Sequence, residues 1–187
     1  GNLLQDVNPS EEDSMHAEFD VTLRPYTLND CTDVYEAVRE SLAELIPWMP
    51  WCHPEYSIDE TRTWLETQVD AFHQGSEFEF AMVSKTGRYL GGCGLNRIDR
   101  INRVANLGYW VRSGATSRGV ATAAVRKLYG WGLRHTDLVR FEILIAVENR
   151  ASRRVAEKAG AHPEGILRNR VLLQSLPHDA AVYSLIR

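Results

Sequence analysis

With 187 residues, 44% of them hydrophobic and 25% charged, the chain has the size and balance of one folded domain around one core, which excludes collagen-like, disordered and membrane-spanning readings of the whole sequence. A formal net charge of −4 gives no basic footprint for direct nucleic-acid binding and suits an amine partner better. No apolar run reaches the ~20 residues that cross a bilayer, and the start, GNLLQDVNPSEEDS, is polar and acidic rather than basic then apolar, so a cytoplasmic location away from membranes is expected.

Residues 1–18 have few apolar side chains and no periodicity, and read as a flexible N-terminal tail before a single domain over 19–187. VTLRP alternates from Val21 and stops at Pro25, the pattern of an edge strand. Asn29 or Asp30 can cap a helix running through Glu44, with Val34, Ala37, Val38, Leu42 and Leu45 at helical spacing and Pro47 beyond its end. Ser57 followed by Glu60 forms a capping-box signature for a second helix whose stripe is Ile58, Trp64, Leu65 and Val69.

The period then changes to two. FEFAMVS, YLGGCGLNRI and RVANLGYWV predict an antiparallel meander with turns at Lys85–Gly87 and Asp99–Asn102, in which the glycines of GGCG mark a bulge or close strand packing. A helix from Ala115 to Arg134, a strand VRFEILIAV, a helix from Asn149 to Ala159 closed by Gly160, and strands over Ala161–Leu173 and Asp179–Ile186 complete the chain. The alternation of elements predicts an α/β fold, a mixed sheet with helices on both faces.

Cys31, Cys52 and Cys93 are odd in number and widely spaced, without a CxxC or Cys/His pattern for zinc, so reduced thiols and no metal site are expected. TSRGVATAAV, Thr116 to Val125, lies between a strand and a helix, where a glycine, the free N–H groups of the first turn and the helix dipole can hold phosphate oxygens; Arg118 adds a cation. The same glycine also suits a plain tight turn. No GxxxxGK[ST] is present, and GGCG lies inside the meander, so neither a P-loop nor a dinucleotide fingerprint is supported. Asn149 stands where an N-cap is expected, and Ser152 lies one turn into the same helix, able to protonate a leaving group or simply to face solvent.

Taken in order, LGYWV (Leu107–Val111), RGVATAAV (Arg118–Val125) and ENRASRRVAEKAG (Glu148–Gly160) resemble the GNAT acetyltransferase superfamily, and LRPYTLND, PWMPW and HDAAVYSLI extend the resemblance to its RimJ/RimL-like ribosomal-protein branch over Val21 to Arg187. The resemblance implies a GNAT-like, mostly antiparallel mixed sheet of six to seven strands. Acetyl-CoA would lie between splayed parallel strands ending at Val111 and Val147, with its pantetheine arm along Trp110, Val111 and Arg112. Its pyrophosphate would rest on Arg118, Gly119, Val120, Ala121 and Thr122, and its thioester would lie near Asn149 and Ser152.

Two departures from the family pattern matter. Thr116 and Ser117 occupy the first loop positions, where relatives carry Gln or Arg and then glycine. Asn106 stands where many relatives have a glutamate base, and can hold a water but not take its proton; Glu142 lies on the opposite face from Ile145 and is a poor replacement. No base is assigned. The candidate catalytic residues are therefore Ser152, Asn106 and His53, the last as a proton relay through water.

Trp48, Met49, Trp51 and His53 fall in the proline-bounded segment that walls the acceptor pocket in relatives, and can equally serve as core cover or solvated loop. Asp179 and Tyr183 are an even step apart on the last strand, which suits structural bonding. A free α-amine, with pKa ~7.7–8, is about a tenth neutral at pH 7, whereas lysine at ~10.4 is almost wholly charged. A weakly basic site thus favours an α-amine, and the resemblance implies a protein N-terminus of ribosomal-protein type, with a small amine or antibiotic, or a degenerate acyl-CoA-binding module, as alternatives. A homodimer is left open.

Overall fold

The computed structural model describes residues 19–187, and the expected N-terminal tail lies outside them. Strand β1 (Val21–Pro25) lies at one edge of a seven-stranded sheet, where a proline without an N–H is tolerated. The helix expected through Glu44 is two: α1 (Cys31–Glu40) and α2 (Leu42–Leu45). Ser41 divides them. Fully buried, it donates its hydroxyl to the Ala37 carbonyl at 2.7 Å and accepts the Ser113 N–H at 2.9 Å, so that its side chain fastens the helix to a distant loop.

Helix α3 (Ile58–Gln74) opens with the capping box read from Ser57 and Glu60, and closes at Gly75, whose φ is 70°. The meander follows as β2 (Phe78–Ser84), β3 (Tyr89–Asp99) and β4 (Val104–Val111). At the turn into β4 the Asp99 carboxylate accepts the N–H groups of Ile101 and Asn102, both at 3.0 Å.

Helix α4 (Val120–His135) begins five residues later than the pattern suggested, because Ser117 and Gly119 both take left-handed φ, 61° and 79°, and helix cannot run through them. Strand β5 (Arg140–Ala146) leads to α5 (Arg150–Lys158), where the Asn149 side chain accepts the Ser152 N–H at 3.2 Å as the expected N-cap. The chain ends with β6 (His162–Leu173) and β7 (Leu176–Ile186), joined through Gln174 and Ser175 at φ 51° and 64°, a two-residue turn without the usual glycine or asparagine signal.

The strand order is β1-β2-β3-β4-β5-β7-β6, antiparallel throughout except for the β4–β5 pair. Each face carries its own core. On one, α4 and α5 pack Val120, Ala124, Leu128 and Ala156 against Phe80, Leu95, Leu107, Phe141 and Ile143. On the other, α1 and α3 pack Val34, Val38 and Leu65 against Ala81, Val83 and Tyr89. Burying each such aliphatic side chain contributes about 1.5–3 kcal/mol. Strand alternation sorts the two sets, so Glu79, Gly94, Asn96 and Asn106 all lie on the α1/α3 side.

Candidate active site

Strands β4 and β5 pair at only three positions, Val104↔Arg140, Ala105↔Phe141 and Asn106↔Glu142, and then diverge. Beyond the divergence β4 stays with β3 as far as Val111, and β5 stays with β7 as far as Ala146. The main-chain groups of β4 that face β5 are thus left without a strand partner. The Arg112 N–H points the other way, to the Leu90 carbonyl at 2.8 Å, so within the expected stretch Trp110–Arg112 the residue that turns its backbone to the gap is Val111.

A cavity of about 870 Å³ occupies the gap and continues across the α1/α3 face. That volume is in the range of ligand sites, roughly 300–1,000 Å³. Its walls bring together Trp48, Met49 and Trp51 from the loop after α2, Asn106 and Trp110 from β4, Ile143–Ala146 from β5, Asn149 and Ser152 at the start of α5, and Arg170–Leu173 from the closing hairpin. Trp51 packs edge-on against Trp110 with ring centroids 6.0 Å apart, which ties the loop to the central strand.

Val111 at the end of β4, Arg112 after it and the segment Arg118–Thr122 lie outside this lining. Arg112 is occupied on its other side by Glu40, at 2.8 Å, and by the Tyr89 carbonyl, at 2.9 Å. The left-handed Ser117 and Gly119 flank an exposed Arg118, and the first intrahelical bond of α4 is Ala123 N–H to the Gly119 carbonyl at 3.0 Å. The N–H groups of Val120, Ala121 and Thr122 therefore stand free of the helix ladder, in the concave arrangement that binds anions. A residue with a side chain at the Gly119 φ would be strained, although space exists for it.

Ser152 is held by a residue that the sequence did not mark. The Tyr109 hydroxyl donates to the Ser152 carbonyl at 2.8 Å and accepts the Ser152 hydroxyl at 3.1 Å. Burial pushes the Tyr109 phenol up to about 12, so it stays a neutral donor.

His53 is placed elsewhere. It lies outside the cavity lining, with Nε2 at 2.6 Å from Glu60 and Nδ1 at 3.4 Å from Glu55, and these two hydrogen bonds, Glu60 first, raise its pKa. Both ring nitrogens of His53 are engaged by carboxylates, and Glu60, not His53, faces the cavity. Glu142 is likewise absent from the lining and is paired with Arg140 at 2.8 Å.

The unforeseen group is Glu79. Its carboxylate accepts the Asn96 amide at 3.1 Å, and the Asn96 carbonyl accepts the Asn106 amide at 2.9 Å, so that one chain of bonds crosses β2, β3 and β4. Burial raises Glu79 to about 7, with Glu77 adding to the rise and the Asn96 bond opposing it. A charged residue on the inward face of a strand, between Phe78 and Phe80, was the sequence signal that could have found it. Nearby, Gln68 Oε1 is buried without a hydrogen-bond partner.

The acetyltransferase (GNAT) domain model matches residues 20–162. The chain belongs to the GNAT acetyltransferases. As a member, it is an acetyl-CoA-dependent acetyltransferase related to the ribosomal-protein enzymes. It is 24% identical over 184 residues to the ribosomal-protein-serine acetyltransferase of Escherichia coli (strain K12), covering 98% of each chain. Over 172 residues it is 29% identical to the ribosomal N-acetyltransferase candidate YdaF of Bacillus subtilis (strain 168), covering 89% of this chain and 91% of YdaF.

Among solved structures, RimL, a ribosomal L7/L12 α-N-protein acetyltransferase in complex with coenzyme A, superposes with a TM-score of 0.83 at 24% identity, covering 89% of this chain and 93% of RimL. The microcin C7 self-immunity acetyltransferase MccE, in complex with acetyl-CoA and AMP, has a TM-score of 0.82 at 24% identity, over 89% and 92% of the two chains. This GNAT acetyltransferase thus has the mixed sheet and the single parallel pair expected of the fold.

Proposed function

We propose that the chain acetylates the free α-amine of a protein N-terminus, of ribosomal-protein type, by direct transfer in a ternary complex. The observation that carries the reading is the continuity of one cavity from the β4–β5 gap to the aromatic loop after α2, since two substrates entering from different sides can meet there without a covalent enzyme intermediate. Acetyl-CoA supplies the activated thioester. Val111 would offer backbone groups to the pantetheine arm, and Arg118 with the N–H groups of Gly119 through Thr122 would hold the diphosphate.

Asn149 keeps the first turn of α5 in register, and Ser152, oriented by Tyr109, places a hydroxyl at the electropositive end of that helix, where it can protonate a departing thiolate. Trp48, Met49 and Trp51 would pack on the acceptor peptide. A second reading, a small cationic amine, draws on the three carboxylates Glu60, Glu77 and Glu79 that line the cavity. Coenzyme release measured with acetyl-CoA and matched peptides separates the two. Peptides with a free N-terminus should turn over and N-terminally blocked, lysine-containing ones should not; turnover of small amines alone, or of no amine, would overturn the proposal.

A further inference from the structure

We propose that Glu79 seats the acceptor's ammonium group and removes its proton, held in place by Asn96 and Asn106 over the side-chain-free α-carbon of Gly94. The inference rests on the acetyl-transfer reading above and assigns it the missing base. Three observations lead to it. The first is a slot. Glu79 pairs across the ladder with Gly94, and a β-carbon on Gly94 would stand 2.1 Å from Glu79 Oε2 and 2.3 Å from its carboxyl carbon, so the carboxylate occupies space that only glycine leaves.

The second is the polarity of the hydrogen-bond chain. A carboxylate only accepts, so Asn96 must turn its amide nitrogen to Glu79 and its carbonyl to Asn106, which in turn gives its own nitrogen. Asn106 Oδ1 is left as an acceptor with no partner among the described residues. The third is Gln68 Oε1, buried, unpartnered and on a residue that lines the same cavity. An ammonium has three N–H donors, and the lining of this cavity carries three acceptors for them: the Glu79 carboxylate and Asn106 Oδ1 on the sheet and Gln68 Oε1 on α3.

The groups around Glu79 are compatible with this role. Glu77, the residue just before β2, adds negative charge, Glu60 on α3 is tied to His53, and Arg97 and Arg170 bring positive charge from β3 and β6. Tyr26 and Cys93 are raised well above their ordinary values by burial and stay neutral. With its own carboxyl near 7, Glu79 is about one unit below an α-ammonium and more than three below a lysine, a penalty of roughly tenfold against more than a thousandfold. That difference favours α-amines over lysine side chains as the group Glu79 would deprotonate.

The step balances without a further reagent. The ammonium gives one proton to the carboxylate, which becomes the neutral acid. The freed lone pair forms the C–N bond as the C–S bond breaks and its electron pair goes to sulfur. Sulfur takes a proton from the Ser152 hydroxyl and the second N–H proton restores that hydroxyl, so the products are amide, thiol and a protonated Glu79 that returns its proton to solvent.

The test measures kcat against pH with a free-N-terminus peptide, acetyl-CoA affinity by calorimetry, and the carboxyl titration by 13C NMR of labelled glutamate. Glu79→Gln should lower kcat by about 10²–10⁴-fold, leave acetyl-CoA affinity within about twofold, and abolish both the acid limb near pH 7 and one carboxyl signal titrating there. Should that variant not fold, Asn96→Ala keeps the carboxylate but removes a bond that lowers its pKa, and the acid limb should move to higher pH. A Glu79→Gln enzyme with wild-type rate and limb, an unmoved limb in Asn96→Ala, or a Glu79 signal titrating at an ordinary carboxyl value overturns the assignment of Glu79 alone. A wild-type protein that acetylates no amine overturns the functional reading as well.

Discussion

Glu79 holds its carboxyl in a place that disfavours charge, and that has a consequence for stability independent of catalysis. An ordinary glutamate ionises near 4.5, and this one near 7, so between those values the folded chain keeps a proton that the unfolded chain has lost. Glu79 therefore contributes stability below pH 4.5 that is lost as the pH rises through 7, by about 3 kcal/mol in all. Glutamine at this position does not titrate. Urea unfolding of wild type and Glu79→Gln should show the variant gaining on wild type between pH 5 and pH 8.5; a constant difference would mean that the carboxyl is not perturbed. Both sequence stretches that build this feature, FEFAMVS and GGCG, were legible as strands, and their glycines as close packing. What could not be read was the register that sets Glu79 against Gly94, because cross-strand pairing is fixed by the whole sheet and the turn before it rather than by either segment. Tyr109 was hidden for the same reason: its partner Ser152 is 43 residues away.

At the scale of elements, strong local signals were sufficient where one segment determines its own structure. The capping box at Ser57, the turn at Lys85–Gly87, the cap at Asn149 and the C-cap at Gly160 all lie where the residues placed them. The misreadings occur where a distant partner intervenes. At the break after α1 the Ser41 hydroxyl joins a local bond to the Ala37 carbonyl with a distant one from the Ser113 N–H, and only the first could be read from neighbouring residues. Ser41→Ala should cost about 1–3 kcal/mol in chemical denaturation, since it leaves that N–H without its acceptor. The loop before α4 offers the opposite case. Ser117 stands in a left-handed conformation, φ 61°, and a non-glycine residue there is strained by roughly 1–2 kcal/mol. Ser117→Gly should raise the unfolding free energy by up to about 1 kcal/mol, the entropy of a freer unfolded chain offsetting part of the relief. A loss of stability would show that the serine makes a compensating bond.

The molecule as a whole is two blocks of sheet, β1–β4 and β5–β7–β6, joined in the ladder at three positions and otherwise through the helices packed across the faces. The gap proposed for acetyl-CoA is the place where that joint opens, so a ligand lying along β4 with its diphosphate on the start of α4 would touch both blocks and resist their separation. Binding only to the folded state, acetyl-CoA at a hundredfold excess over its Kd should add about 2.7 kcal/mol. For a domain of this size each kcal/mol moves the Tm by about 2–4 °C, which makes a shift of roughly 5–10 °C in a thermal scan. Gly119→Glu sets a bulky anion at φ 79°, directly where the free N–H groups of Val120–Thr122 should meet phosphate. Its Tm without ligand should fall by a few degrees from backbone strain, about 1–2 kcal/mol, and the ligand-induced shift should vanish. If the variant kept the full shift with acetyl-CoA, the diphosphate would have to rest elsewhere, and the alignment of the thioester with Ser152 along the β4–β5 gap would fail with it.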